Sequence, residues 1–249
     1  MTSPSSNEST PLLHHHRDRS HADPHAEPQV GLRSRLWNAF SLAVVGTGLA
    51  WIVFLALSRN RQAELLFQIH VYSMALSFVV ITSAISYFQR LSADDRLEGI
   101  RHHGLLQTLG VLLMLSGFAA IVWNKLKNGK GHFAQAHSQL GLLAVVLCTA
   151  VFVVGIVSLA LGRGETSART VRVLKSVHRL AGYLTFVSVA ATIAAVVWSG
   201  WARRNLSELE QYGWLAASIA VGGAVVLRAE WGRLFASLIP NDDDNEDEL

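Results

Sequence analysis

Six of the eleven histidines, His70, His102, His103, His132, His137 and His178, lie in or just outside apolar stretches of this 249-residue chain. The other five crowd between positions 14 and 25. Imidazole is a common metal ligand and titrates near neutral pH, so such a set can coordinate a metal or relay protons. At membrane depth an ionisable side chain is costly unless it finds a partner, which makes each of these residues a functional candidate. Taken singly, each fits an interfacial or interhelical hydrogen-bonding histidine just as well. Their arrangement on the surrounding elements carries more information than any one of them.

Those elements follow from hydropathy. A bilayer core of about 30 Å needs roughly 20 residues of apolar helix, and six windows qualify: Leu36–Leu57, Leu65–Phe88, Gly104–Trp123, Ser138–Leu161, Leu180–Gly200 and a shorter Tyr212–Leu227. None contains Asp, Glu, Lys or Arg. The ten-residue alternation of a membrane β-barrel is missing, and a helix satisfies its own backbone in lipid. The expected fold is therefore an all-α membrane protein of six transmembrane helices with a central four-helix bundle of helices 2–5. It divides into a His-rich disordered tail over 1–35, a membrane domain over 36–236 and an acidic tail over 237–249.

Composition agrees. Apolar residues make up 51% of the chain and charged residues 16%, against about 25% charged in soluble domains. An ordinary cytosolic enzyme is excluded. With a net charge of +3 and basic residues in short clusters, the chain has no nucleic-acid signature. The single cysteine, Cys148, excludes an internal disulfide framework. The first 35 residues lack the apolar core of a cleavable signal peptide. Fourteen Lys and Arg fall in the two tails and the loops after windows 2 and 4, and seven in the remaining loops. The positive-inside rule then places both termini in the cytosol.

In that orientation His70 and His137 lie towards the non-cytosolic face, and His103 and His178 towards the cytosol. Each opens one of the helices 2–5. Two neutral imidazoles on facing helices are the axial set of six-coordinate haem iron, so the pattern reads as one haem in each leaflet. Gly141 and Gly182 each follow a histidine by one turn on the same face. There they leave room for a porphyrin, or else for close helix packing by small residues.

The segments Phe67-Gln-Ile-His70, His103-Gly-Leu-Leu-Gln107, His132-Phe-Ala-Gln-Ala-His137-Ser-Gln-Leu-Gly141 and Lys175-Ser-Val-His178-Arg-Leu-Ala-Gly-Tyr183 resemble the cytochrome b561 family of six-helix di-haem cytochromes. Within it the chain looks most like stand-alone b561-domain proteins of the tumour-suppressor type, over roughly Leu36 to Phe235. The resemblance implies two haem b groups, one on His70 and His137 and the other on His103 and His178, with His102 competing with His103 for one role. It implies a transmembrane oxidoreductase taking electrons from cytosolic ascorbate to monodehydroascorbate or a ferric chelate. Arg101, Arg172 and Lys175 look like the basic positions of the family's cytosolic ascorbate site, although the positive-inside bias alone would put them there. His132 matches a histidine near the outer substrate site. The histidine that some members carry at the end of helix 3 is here replaced by Trp123-Asn124.

Lys125, Lys127 and Lys130 could attract an anionic chelate to the outer face. A histidine-dependent metal-ion transporter is the alternative, with the Pro-Leu-Leu-His-His-His tail as an ion buffer; carriers of that kind usually pair acids with histidines inside their spans, and these windows have none. A homodimer stays open as a partner arrangement. Glu8-Ser-Thr-Pro-Leu12-Leu13 fits an acidic dileucine sorting pattern, favouring an endosomal, lysosomal or vacuolar membrane over the endoplasmic reticulum or plasma membrane. Asn205-Leu-Ser207 is a glycosylation sequon on the lumenal side; a second, Asn7-Glu-Ser9, is placed in the cytosol.

Overall fold

In the computed structural model the described residues are 32–229 and 231, apart from 62, 90, 92–95, 163 and 165–166. Contacts divide the chain into Met1–Asn38 and Ala39–Leu249. Of the first unit only the opening turns of α1 are described. The expected tails, with the dileucine pattern and the Asn7 sequon, otherwise lie outside the described residues.

The order is α1 (Leu32–Ser58), α2 (Leu65–Phe88), α3 (Arg96–Lys127), α4 (Ala136–Leu161), α5 (Ala168–Ala194), a 3₁₀ turn (Ala195–Trp198), α6 (Gly200–Asn205) and α7 (Glu208–Leu227). Among the described residues five helices, α1 to α5, are long and apolar enough to cross a membrane. Their large apolar side chains face outward, with Leu105 70% and Leu184 61% exposed. That surface suits hydrocarbon rather than water. The expected sixth span falls on α7, which has the length, 20 residues. Its opening turn carries Glu208 and Glu210, so it has no stretch of spanning length as apolar as those of the other five.

The largest departures from the hydropathy windows are three. The third helix begins at Arg96 rather than Gly104, and the fifth at Ala168 rather than Leu180. Both extend past the apolar window because Arg, Lys and Glu are good helix formers. Ser167 caps α5 by accepting from the Thr170 N–H. Consequently His103 and His178 lie two and three turns inside their helices, not at their starts. The fifth window is also broken: α5 ends at Ala194, and Ser199 caps the short α6 by accepting from Ala202 N–H.

The bundle is built from two antiparallel hairpins. α2 packs chiefly on α3 and α4 on α5, while α3 and α4 touch little. Along the first seam Ser77 Oγ donates to the Gly110 carbonyl at 2.7 Å. At Gly117 of the same seam an added Cβ would come 3.2 Å from Ser73 and Met74, so glycine permits the close approach. α7 is pinned to α5 by Trp214, whose Nε1 donates to the Ile193 carbonyl at 2.7 Å where α5 gives way to the 3₁₀ turn. α1 lies on α7, where Gly48 faces Val221 and the Ala217 carbonyl.

A polar clasp joins the neighbouring ends of α2 and α3. Glu64 accepts from Asn124 and Asn128 Nδ2, each at 2.9 Å, and from Lys127 Nζ at 3.1 Å. The hydrogen bonds from Asn128 and Lys127 hold the Glu64 carboxyl below the usual carboxylate range. A carboxyl depressed by folding stabilises above its unfolded pKa, and that contribution is lost as pH falls through the lowered value. Glu64→Gln is therefore expected to lower the melting temperature slightly near pH 7, because the pair is exposed, and to match the unmodified protein in acid. Thermal melts across pH would show this; a gap that does not close in acid would contradict it.

Candidate functional site

His70, in the second turn of α2, faces His137 in the first turn of α4, with ring centroids 6.5 Å apart and planes at 74°. His103 of α3 faces His178 of α5 at 6.4 Å and 87°. Each pair reaches across from one hairpin to the other. It is His103, not His102, that meets His178. His102 is exposed, with its ring edge-on to Tyr87 and its Nδ1 3.3 Å from the Glu98 carbonyl.

Three of the four rings are tied to backbone on the partner helix of their own hairpin. His70 Nδ1 lies 3.0 Å from the Gly117 carbonyl, His137 Nδ1 2.9 Å from that of Thr192, and His178 Nδ1 3.1 Å from that of Val151. A carbonyl only accepts, so each Nδ1 carries the proton and donates. Nε2 keeps its lone pair for a metal, the usual second-shell arrangement of a ligating histidine. His103 Nδ1 is buried without such a bond; the register of the α2–α3 seam, His70 against Gly117 and Ser77 against Gly110, sets that ring level with Ala84 of α2.

These anchors place the pairs at two levels. Along α2 the levels fall at His70 and, by the seam register, Ala84, and along α4 at His137 and Val151. Each interval is fourteen residues, about 21 Å of helix. Two levels at this spacing fit within one bilayer.

The donor set fits haem iron. With metal–imidazole bonds of about 2.0–2.1 Å, and about 1.1 Å from each bonded nitrogen to its ring centre, two imidazoles on one metal stand about 6.3 Å apart. Both observed separations are close to that. A cavity of about 430 Å³ surrounds the His70–His137 pair, lined by Phe67, Met74, Phe118 and Gly141 among others, within the range of cofactor sites. Among the described residues no three His, Cys, Asp or Glu side chains gather around one ion.

The glycines discriminate between packing and space. A Cβ at Gly141 would meet only Thr192, at 3.5 Å, and one at Gly182 only Val151, at 4.0 Å. Neither glycine is a close helix contact, and Gly141 lines the cavity around His70 and His137, where a flat ligand has room. Gly155 escaped the sequence reading: a Cβ there would lie 2.8 Å from His178 Cε1, so this glycine makes room for the ring. Spacing within one helix could not reveal it, because the contact joins α4 to α5. Phe133 was also missed. It lines the cavity beside His132, with ring centroids 5.9 Å apart, in a left-handed backbone conformation at φ 54°.

His132, Lys125, Lys130 and Arg204 stand on the lining of the cavity around His70 and His137. Lys127, counted from sequence with the free basic residues of that face, is instead paired to Glu64. Asn124, of the Trp123-Asn124 pair near the end of α3, is buried and donates to Glu64. Arg101, Arg172 and Lys175 are exposed on α3 and α5, in the half of the bundle that holds His103 and His178.

The chain resembles curated proteins named Transmembrane reductase CYB561D2. That of Homo sapiens is 31% identical over 126 residues, 49% of this chain and 56% of that protein. Those of Mus musculus and Bos taurus are each 33% identical over 103 residues, 39% of this chain and 46% of theirs. The chain thus spans about half the length of the curated relatives it matches. A family model for eukaryotic cytochrome b561, whose members hold haem b, matches residues 69–201. That stretch opens one residue before His70 and runs past His178, so it takes in every histidine that the fold sets in facing pairs, and the chain belongs to the eukaryotic cytochrome b561 family.

Proposed function

We propose that the protein is a six-span, di-haem cytochrome that carries electrons from cytosolic ascorbate to monodehydroascorbate or a ferric chelate on the lumenal or extracellular side. The observation that supports this best is the pair of histidine couples, equal in ring separation and fourteen residues apart along both hairpins. Bound haem supplies a one-electron couple whose potential depends on burial and ligand hydrogen bonding. His70 and His137 are the ligands nearer the non-cytosolic face, and His103 and His178 those nearer the cytosol. The carbonyls of Gly117, Thr192 and Val151 fix ring orientation and make the ligands more basic. α7 serves as the sixth span, which returns the C-terminus to the cytosol, and the dileucine pattern favours an endosomal, lysosomal or vacuolar membrane.

Arg101, Arg172 and Lys175 form the landing site for the ascorbate anion. His132, with Lys125 and Lys130, serves the acceptor side. Arg101→Glu or Lys175→Glu is expected to slow reduction by ascorbate several-fold, as charge steering of an anion requires, and to leave reduction by dithionite unchanged. Stopped-flow absorbance with each reductant checks this, and equal slowing by both would contradict the docking site.

The reading is tested in sealed vesicles with the cytosolic face inward. Trapped ascorbate should reduce an impermeant ferric chelate outside, and vesicles without protein should not. Loss of transfer with ascorbate inside, in vesicles whose protein is fully loaded with haem, would overturn it.

A further inference from the structure

Phe78 of α2 and Phe186 of α5 stack at the centre of the bundle, with ring centroids 5.9 Å apart and planes only 17° from parallel. They are 2% and 1% exposed, the largest side chains that the fold buries this fully. α2 and α5 make few close backbone approaches, so the contact of the two rings is what joins these helices across the hairpins.

Their height follows from the register already given. Phe78 is eight residues from His70 and six from the level of His103 at Ala84, about 12 and 9 Å along α2. On α5, which runs the other way, Phe186 is eight residues from His178 and six from the level of His137 at Thr192. The two rings therefore meet midway between the histidine couples. Phe78 also belongs to the lining of the cavity around His70 and His137. Met114, Val145 and Cys148 belong to the same buried cluster, so no charged side chain of that cluster competes for this position.

We infer that the Phe78–Phe186 stack is the bridge through which one electron passes between the two cofactor sites, the inner site being oxidised and the outer reduced with no bond made or broken. The inference rests on the di-haem reading. Electron transfer through a protein weakens with every gap in van der Waals contact, and a void removes the atoms that would carry it. A stacked aromatic pair at the midpoint fills with packed atoms the centre of the span between two levels about 21 Å apart along the helices.

The test uses full-length protein carrying Phe78→Leu and Phe186→Leu together, which keeps the centre apolar but removes the rings. Haem content, absorption bands and the two midpoint potentials are measured first and should match the unmodified protein. Inter-site transfer, followed spectroscopically after rapid reduction of the inner site, is then expected to slow about tenfold, equal to a barrier rise of about 1.4 kcal/mol. Reduction of the inner site itself should keep its rate. Transfer at the original rate with both haems in place would overturn the inference and leave the pair as core packing. Should the double variant lose haem, Phe186→Leu and Phe186→Tyr replace it: slowing in the first and not the second is expected, and equal rates would overturn the bridge. Fewer than two haems in the unmodified protein would instead refute the di-haem reading, whatever the phenylalanines do.

Discussion

His137→Ala is expected to leave one haem per chain, held between His103 and His178, with that site spectroscopically intact. His70→Ala should do the same, and His103→Ala or His178→Ala should spare the other haem instead. The selectivity comes from geometry. The couples share no residue, lean on different carbonyls and stand about 21 Å apart along the helices, and sites so separated behave independently. A haem held by one of these couples would lose half of its protein bonds with either histidine, so occupancy of that site should fall to a small fraction. Haem stoichiometry and resolved α bands of the four purified variants check the assignment. If all four kept two haems, the ligands would lie elsewhere.

Gly155→Ala is the second large effect expected, and it comes from a residue that binds nothing. A methyl at this position would sit 2.8 Å from His178 Cε1 and 3.2 Å from its Nδ1. The ring has nowhere easy to go, because Nδ1 is held by the Val151 carbonyl one turn away on the same helix α4. Relief must come by breaking that bond or by parting α4 from α5. Changes that displace a metal ligand in this way typically reduce affinity 10- to 100-fold. The haem of the His103–His178 couple should be lost selectively, with the His70–His137 site occupied as before. Gly223→Ala on α7, where an added Cβ meets nothing within 4 Å, is the control and should leave haem content unchanged. Equal haem content in both variants would show that His178 has more freedom than the packing allows.

Much of this was legible in the chain itself. Ionisable residues are rare in apolar windows, so His70, His103, His137 and His178 stood out, and opposite helix directions sorted them into the two couples that the fold brings face to face. Between His102 and His103, which lie near the same helix position, the chain favoured His103 by its motif and the Gln one turn later, and it is the His103 ring that points across the bundle. Hydropathy placed five of the spans well but misjudged the starts of α3 and α5. It reports where lipid could lie, whereas a helix continues as long as its hydrogen bonds do, through Arg101 and Lys175 and beyond. The break after Ala194 was invisible for a similar reason: Ser199 caps the next helix within a stretch that stays apolar. The Glu64 clasp, the room made by Gly155 and the Phe78–Phe186 stack are contacts between helices, fixed by tertiary register. No spacing within a single segment encodes them.

The most direct measurement is a haem count on purified protein by pyridine haemochrome, followed by a reduced-minus-oxidised spectrum with ascorbate as reductant. Two b-type haems per chain, both reducible by ascorbate, is the expected result. A single haem, or none, in protein that is folded and monodisperse would contradict the assignment of the two histidine couples as paired cofactor sites.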